Sequence, residues 1–329
     1  MKTIRLGFAG LRHNHIFGLY ALAQQKPAIE IAGVFEDSDE GRAAAAERHI
    51  AVTHTSYDAL LAEVDAVAIG TYYANRGALA IAALRAGKHV IADKPLCTSL
   101  EELAEIERLA REQGLTVGIM LDLRDNKNVV AAQQLIADGT IGKINTVRFE
   151  GQHPLLYGSR PGWYFESGKY GGVINDIAIH GIDLVRRFTG AEVETVLAAR
   201  CWNFYAHQCP AFKDSGQFML RMSDGAGIIA DVSYAAPDSH GYGLPFYWEF
   251  LISGAQGILR FHAESDGVEL YRAGETAVRR VAPVLPRQDY LDAILDGILS
   301  RNPAPVTEQA LASTAQTLRI QQYADTCGA

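Results

Sequence analysis

Residues 7–18, GFAGLRHNHIFG, follow an apolar run (Ile4, Leu6, Phe8) and lead into a stretch with helical spacing. A strand that ends in a glycine turn and opens a helix is the setting of a dinucleotide-binding loop, whose fingerprint is G-x-G-x-x-G. Gly10 supplies the first glycine of that pattern; Arg12 stands at the second position and His15 at the third. Gly7 and Gly10 keep the exit from the strand tight, and the amides at the helix start can face a phosphate. With the second glycine absent, the backbone is expected to stand further from a pyrophosphate, and the Arg12 guanidinium to fill the gap. His15 is expected to lean into the cleft or to loosen the packing of helix on strand. Gly10, Arg12, His13, Asn14 and His15 thus form the phosphate end of a candidate cofactor site.

Outward from this loop, IRLGFA, EIAGVF, DAVAIGT, HVIADKP and LTVGIML read as strands, most of them apolar on both faces as buried parallel strands are. Helical patterns separate them: SDEGRAAAAERH, SYDALLAE, NRGALAIAALRAG and TSLEELAEIERLAREQG, the last opened by Thr98 or Ser99 with Glu101 or Glu102 and closed by Gly114. The alternation predicts a doubly wound parallel sheet, in which ligands lie beyond the carboxyl ends of the strands. Glu36 stands at such an end, about 20 residues past the loop, where an acid can hold both ribose hydroxyls of an adenosine. Asp37 follows it, with no arginine or lysine, so a 2′-phosphate would be repelled and NAD is expected rather than NADP. Thr71 and Tyr72 follow one further run, and Asp93 and Lys94 another.

After NKNVVAAQQLIADGTIG the pattern changes to alternating strands: INTVRFEG, VETVLAARCW, GQFMLRM, GIIADVSYA, YWEFLISG, GILRFHA, GVELYR and AVRRVA. Asp224-Gly225 marks a hairpin turn and residues 255–257 another. The fold class expected is α/β: an N-terminal Rossmann doubly wound parallel sheet plus a C-terminal α+β domain with a large open, mostly antiparallel sheet. The domains are expected over residues 1–122 and 123–329. One helix is expected over 172–188 and two more over 287–300 and 307–326, the last packing back on the first domain.

The 329 residues exceed one ordinary core. A net charge of −8, from 30 basic and 38 acidic residues without long runs, argues against nucleic acid or an anionic membrane as a partner. MKTIRLGFAG reads as a strand rather than a signal peptide, and no run approaches a membrane span. Cys97, Cys201, Cys209 and Cys327 lack metal-site spacing and read as reduced thiols of a cytoplasmic protein.

GKHVIADKPLCTSLEEL resembles the G-K-H-V-x-x-E-K-P-L-x-x-[ST]-x-x-E-x motif of the Gfo/Idh/MocA oxidoreductases, the family of glucose–fructose oxidoreductase and inositol dehydrogenase. GGVINDIAIHGIDLVRRFTG resembles its G-G-x-x-x-D-x-x-x-H-x-x-D-L segment, and IADGTIGKINTVRFEG the junction that opens its second domain. The resemblance runs from Ile4 to the terminal helix. It implies a sugar or polyol oxidised between a Rossmann domain and an open-sheet domain. Lys94 takes the place of the lysine near nicotinamide and substrate hydroxyl, and Asp176 and His180 the places of the motif acid and histidine. Asp93 stands where glutamate is usual, one methylene shorter.

Asp176 and His180 are four residues apart, so an α-helix projects both from one face. Oxidation of an alcohol needs a base for the hydroxyl proton, a role suited to a histidine of near-neutral pKa. The Lys94 ammonium can stabilise the developing alkoxide, and Asp176 can orient its neighbours. Asp122 and Arg124 in LDLRDN, and Asn175 beside Asp176, are candidate contacts for sugar hydroxyls. The irregular segment QHPLLYGSRPGWYFESGKYGG adds His153, Tyr157, Arg160 and Trp163 as candidate contacts to a sugar ring, with cover of a helix or a subunit interface as the alternative. No carboxylate or cysteine stands at metal-ligand spacing from His13 and His15, so no metal is expected.

The reading is therefore a dehydrogenase of a sugar, inositol or glycoside hydroxyl, expected as a homo-dimer or homo-tetramer. Two alternatives share the fold: an NAD-retaining, redox-neutral enzyme acting on a glycoside, for which Arg12 over the pyrophosphate would slow cofactor release, and a non-catalytic sensor of NAD and sugar.

Overall fold

Apart from the edge strand over Ile29–Phe35, burial on both faces marks the strands of the first sheet. In the computed structural model, which describes residues 3–327, β1 (Ile4–Ala9), β2 (Ile29–Phe35), β3 (Ala66–Ile69), β4 (His89–Ala92) and β5 (Val117–Ile119) pair in parallel in the order β2-β1-β3-β4-β5. Every residue of β3 and β5 is buried, as parallel strands covered on both faces require. The intervening helices are α1 (His15–Gln24), α2 (Asp39–Glu47), α3 (Tyr57–Glu63), α4 (Tyr73–Arg85) and α5 (Leu100–Gln113). Ser99 caps α5 by accepting from the amides of Glu101 and Glu102, and Gly114 ends it in the left-handed conformation.

The second sheet has eight strands. α6 (Lys127–Ala137) leads into β6 (Ile144–Pro154); then come a π-helical turn (Ile174–Ala178), α7 (Ile179–Thr189), β7 (Val193–Trp202), β8 (Ser215–Met222), β9 (Gly227–Ala236), β10 (Glu249–Gly254), β11 (Gly257–His262), β12 (Val268–Arg272) and β13 (Arg279–Val281). Their order is β13-β12-β11-β10-β6-β9-β8-β7, and β6 with β9 is the parallel pair in an otherwise antiparallel ladder. Burial alternates along β8, with Phe218 and Leu220 inward and Met219 outward. Leu197, Met219, Ile229 and Ile258 leave apolar groups on the outer face.

Two helices follow, α8 (Tyr290–Leu299) and α9 (Ala304–Cys327). The described chain divides into two compact units: residues up to 121 with 161–171 and 288–315, and residues 122–160 with 172–287 and 316 onward. In the first unit Leu291, Ile294 and Leu295 of α8 join Leu6, Phe8, Ile16 and Leu19 in one core. A Cβ at Gly118 of β5 would collide with Ile294, so the glycine admits α8 to the sheet. Lys26 ties α8 down by donating to Asp289 and Asp292 at 2.5 and 2.6 Å.

The helix expected over 172–188 begins instead with the π turn, which shifts the residues before Ile179 relative to an α-helical register. Its amides are capped from a distance: Gln321 Oε1 accepts from Ile174 N (3.0 Å) and Asn175 N (3.3 Å). Gly172, at φ +99°, lies where a Cβ would run into the Gln321 side chain. No helix among the described residues is long and apolar enough to cross a membrane.

Candidate active site

The chain runs outward from β1 in both directions, to β2 and to β3, so the crevice past their carboxyl ends is the switch point of the first sheet. Gly10 turns there at φ +79°, and a Cβ would come within 2.6 Å of Thr71 N. Only glycine meets both demands. Glu36, at the end of β2, is buried and faces this loop. One of its oxygens accepts from Leu11 N (2.5 Å), the other from Ser38 N and Ser38 Oγ (2.7 Å each).

Arg12 does not lie as the sequence suggested. Its Nε is 3.2 Å from Glu36 Oε1 and its Nη2 pairs with Asp37, so the guanidinium is turned to the acids beyond β2. Two carboxylates within reach outcompete a reach across the loop. The amides of Leu11 and Arg12 are likewise engaged, on Glu36 and on Gly70 O. Asn14 precedes α1 without capping it through its side chain. Trp163, expected near a sugar, is buried in the first unit: its indole N–H donates to Arg12 O (3.0 Å) and its ring stacks on Tyr164. Its own loop carries it onto the turn, beside Tyr72 and Tyr73.

Asp93 and Lys94 follow β4, and both are buried. They are held by Arg76 of α4, a fully buried arginine that no sequence signal singled out. Arg76 donates to Thr71 O (2.9 Å), Asp93 O (2.8 Å), Lys94 O and Pro95 O (3.2 Å), and through Nη2 to Asp93 Oδ2 (3.0 Å). One side chain thus ties the ends of β3 and β4 together, and the Lys94–Pro95 peptide it grips is cis. Burial opposes ionisation of Asp93, yet Arg76 and His13 hold its carboxyl well below the usual range. Burial pushes His13 down to about 3, against the pull of Asp93. His13 Nδ1 pairs with Asp93 Oδ2, and His15 Nδ1 lies 3.5 Å from Asp93 Oδ1. The histidines of the loop therefore do have a carboxylate beside them, contrary to expectation. The fold brings it from the end of β4, 80 residues away.

In the second unit Asp176 and His180 are both buried but anchored differently. Asp176 Oδ2 accepts from the Tyr234 hydroxyl of β9. The His180 ring sits edge-on to Trp248, and its Nδ1 is 3.9 Å from Asp122 Oδ1. Asp122 is half exposed on its side chain and lies near the ring, beyond direct hydrogen-bond distance. Arg124, expected at a sugar, instead makes a two-pronged pair with Asp183 of α7, 2.5 Å on each prong. A planar guanidinium beside a buried carboxylate takes that geometry in preference to open contacts.

Arg160 is also engaged, donating to Leu155 O (2.9 Å) and Pro154 O (2.8 Å) over the Tyr234 ring. His153 is ringed by Tyr234, Tyr242, Tyr247 and Trp248. Tyr157 is on the surface and Asn175 is buried in the π turn. Tyr234 and Trp248 went unnoticed in the sequence; Tyr234 lies in β9 and Trp248 just ahead of β10. Cys97 and Cys201 are buried thiols outside any disulfide and Cys209 a part-exposed one, while the Cys327 side chain lies outside the described residues.

Comparison with known proteins places these halves. The sequence model of an oxidoreductase family with an NAD-binding Rossmann fold matches residues 4–121, and that of the GFO/IDH/MocA C-terminal domain matches residues 129–260. The chain is 36% identical to 1,5-anhydro-D-fructose reductase of Ensifer adhaerens over 162 residues, 48% of each protein. The matched stretch thus spans about half the length of that relative. It is 30% identical to inositol 2-dehydrogenase 2 of Saccharopolyspora erythraea over 251 residues, 73% of this chain and 69% of the relative. The structure of an inositol dehydrogenase homologue from Azotobacter vinelandii, complexed with NAD+, superposes with a TM-score of 0.81 over 98% of this chain and 96% of that one, at 18% identity; it attests the fold. With both of its domains matched in order, the chain belongs to the Gfo/Idh/MocA family of oxidoreductases.

Proposed function

We propose that the protein is an NAD-dependent dehydrogenase acting on a secondary hydroxyl of a sugar, inositol or glycoside. The observation that carries this reading is Lys94: a buried lysine fixed by Arg76 at the carboxyl end of β4, in a sheet whose switch point carries the Gly10 turn. Two of the relatives named above carry the names of a 1,5-anhydro-D-fructose reductase and an inositol 2-dehydrogenase, which supports that class.

The turn fits a dinucleotide in its closeness to Thr71 and in the acid at the end of β2. Gly10, His13, Asn14, His15, Thr71 and Tyr72 would line it, with Glu36 and Asp37 toward the adenosine ribose. The bound nicotinamide would supply the hydride acceptor. The chain's own residues do the rest. His180, with Nδ1 turned to Asp122, offers Nε2 to the hydroxyl proton. The Lys94 ammonium stabilises the negative charge that grows on the oxygen. Asp176, held by Tyr234, fixes the π turn ahead of His180. The redox-neutral alternative rested on Arg12 over the pyrophosphate, and Arg12 is paired with Glu36 and Asp37 instead. The exposed apolar side chains Leu197, Met219, Ile229 and Ile258 on the outer face of the second sheet support a homo-oligomer, and thiols outside any disulfide suit a cytoplasmic location.

The direct test screens polyols, aldoses and glycosides with NAD and NADP, read as absorbance of the reduced coenzyme. Turnover of a polyol or sugar is expected; a screen silent with both coenzymes, in protein that binds them, would sink the reading.

Arg12 gives a second expectation. Glu36 and Asp37 were read as repelling a 2′-phosphate, yet Arg12 supplies them with a counter-charge. Removing it should leave both acids uncompensated. Arg12→Ala should therefore weaken NADP more than NAD, raising the ratio of their Kd values about fivefold, the scale of one partly exposed charge pair. Equal loss for both coenzymes, measured by fluorescence titration, would place Arg12 away from the ribose.

A further inference from the structure

We propose that His13, His15 and Asp93 form a binding site for one divalent metal ion of the zinc class, with a fourth coordination position left open. The donor atoms of these three residues all lie within 4.8 Å of one another. Two neutral imidazoles and a carboxylate, with one position open, are a donor set that zinc and cobalt(II) accept.

The decisive geometry is between His15 and Asp93. His15 Nδ1 and Asp93 Oδ1 are both buried, face each other at 3.5 Å, and have no hydrogen-bond partner among the described residues. That separation is too long for a good hydrogen bond. It is close to the edge of a tetrahedral metal site, where ligands about 2.1 Å from the ion stand about 3.4 Å apart. If the cluster were only a structural histidine–carboxylate pair, His13 and Asp93 Oδ2 would suffice. His15 Nδ1 and Asp93 Oδ1 would then remain as two unsatisfied buried atoms. An ion between them satisfies both.

The surroundings supply what a metal site needs behind its ligands. The Tyr73 hydroxyl lies 3.2 Å from His13 Nε2 and 2.7 Å from the Tyr164 hydroxyl, so it can accept an Nε2 proton, while metal binding displaces the pairing of Nδ1 with Asp93 Oδ2 and turns the deprotonated Nδ1 to the ion. Arg76 Nη2 holds Asp93 Oδ2 at 3.0 Å and orients the carboxylate. Its positive charge opposes a cation, which is why the ion is assigned to Oδ1, the oxygen that Arg76 leaves alone. The site also accounts for the loop: the third fingerprint position, usually glycine, carries one of the ligands. The proposal does not depend on the dehydrogenase reading, because all three ligands and their supports lie in the first unit and need no dinucleotide.

The test uses tag-free, full-length protein stripped with a chelator and titrated with cobalt(II) alone. One equivalent per chain is expected, with the visible d–d bands of a tetrahedral nitrogen–oxygen site that zinc then abolishes. His15→Gln, which alters a part-exposed ring, should weaken cobalt binding more than about 100-fold. Circular dichroism and melting would confirm that this variant folds. Asp93→Asn should behave alike, but it also disturbs Arg76, so His15→Gln is the decisive variant. Absence of stoichiometric cobalt in the wild type, or undiminished binding in folded His15→Gln, overturns the site. Protein that takes up one cobalt yet turns over no sugar still supports it, while counting against the dehydrogenase.

Discussion

Lys94→Ala should lower turnover of the preferred sugar or polyol by about 10³-fold, the scale of removing one donor from a developing oxyanion. The Kd for coenzyme should stay within a few-fold of wild type. The asymmetry follows from how the residue is held. Arg76 grips the Lys94 carbonyl and its neighbours, so the backbone of the β4 end does not depend on the lysine side chain. On the proposed mechanism the variant loses a cation at the reacting oxygen, and the loss belongs in kcat rather than in binding. Steady-state kinetics beside a coenzyme titration separates the two. A variant with full activity would remove Lys94 from the chemistry, and one that no longer binds coenzyme would make it a cofactor residue.

The largest effect on stability is expected at Arg76. Replacing it with methionine keeps much of the apolar stem but leaves the Asp93 carboxyl buried and without its guanidinium, the strongest of the influences that favour its ionised form. Removing one partner of a buried ion pair costs about 3–5 kcal/mol. Three backbone carbonyls past β4 and one past β3 lose their donor at the same time. Urea unfolding should show that loss in the midpoint. The double variant Arg76→Met, Asp93→Asn should recover part of it, because the unpaired charge is then gone. An Arg76→Met protein within about 1 kcal/mol of wild type would mean that water or a shifted side chain replaces the guanidinium.

Periodicity carried the architecture. The runs around Phe8, Ala68 and Ile91 are apolar on both faces and became parallel strands, while the alternation through Phe218 and Leu220 became an antiparallel strand with one wet face. Arg76 was hidden because it sits in NRGALAIAALR, where a charged residue on an alanine-rich helix reads as solvated. Its burial is decided by the ends of β3 and β4, which no local window contains. The π turn escaped for a similar reason: its cap is Gln321, some 147 residues from Ile174. Arg12 was read against a phosphate because its rivals, Glu36 and Asp37, are separated from it by a whole helix and strand. Contacts within one element were legible, and those that depend on where strand ends converge were not.

The place of α8 has a consequence for synthesis. The core under β1 and β5 is completed by Leu291, Ile294 and Leu295, and Gly118 is shaped to receive them. These residues leave the ribosome only after every strand of the eight-stranded sheet. The parallel sheet, though encoded first, lacks these core residues until the later sheet has been made. The first sheet therefore draws part of its core from a helix that is encoded after the whole of the second sheet.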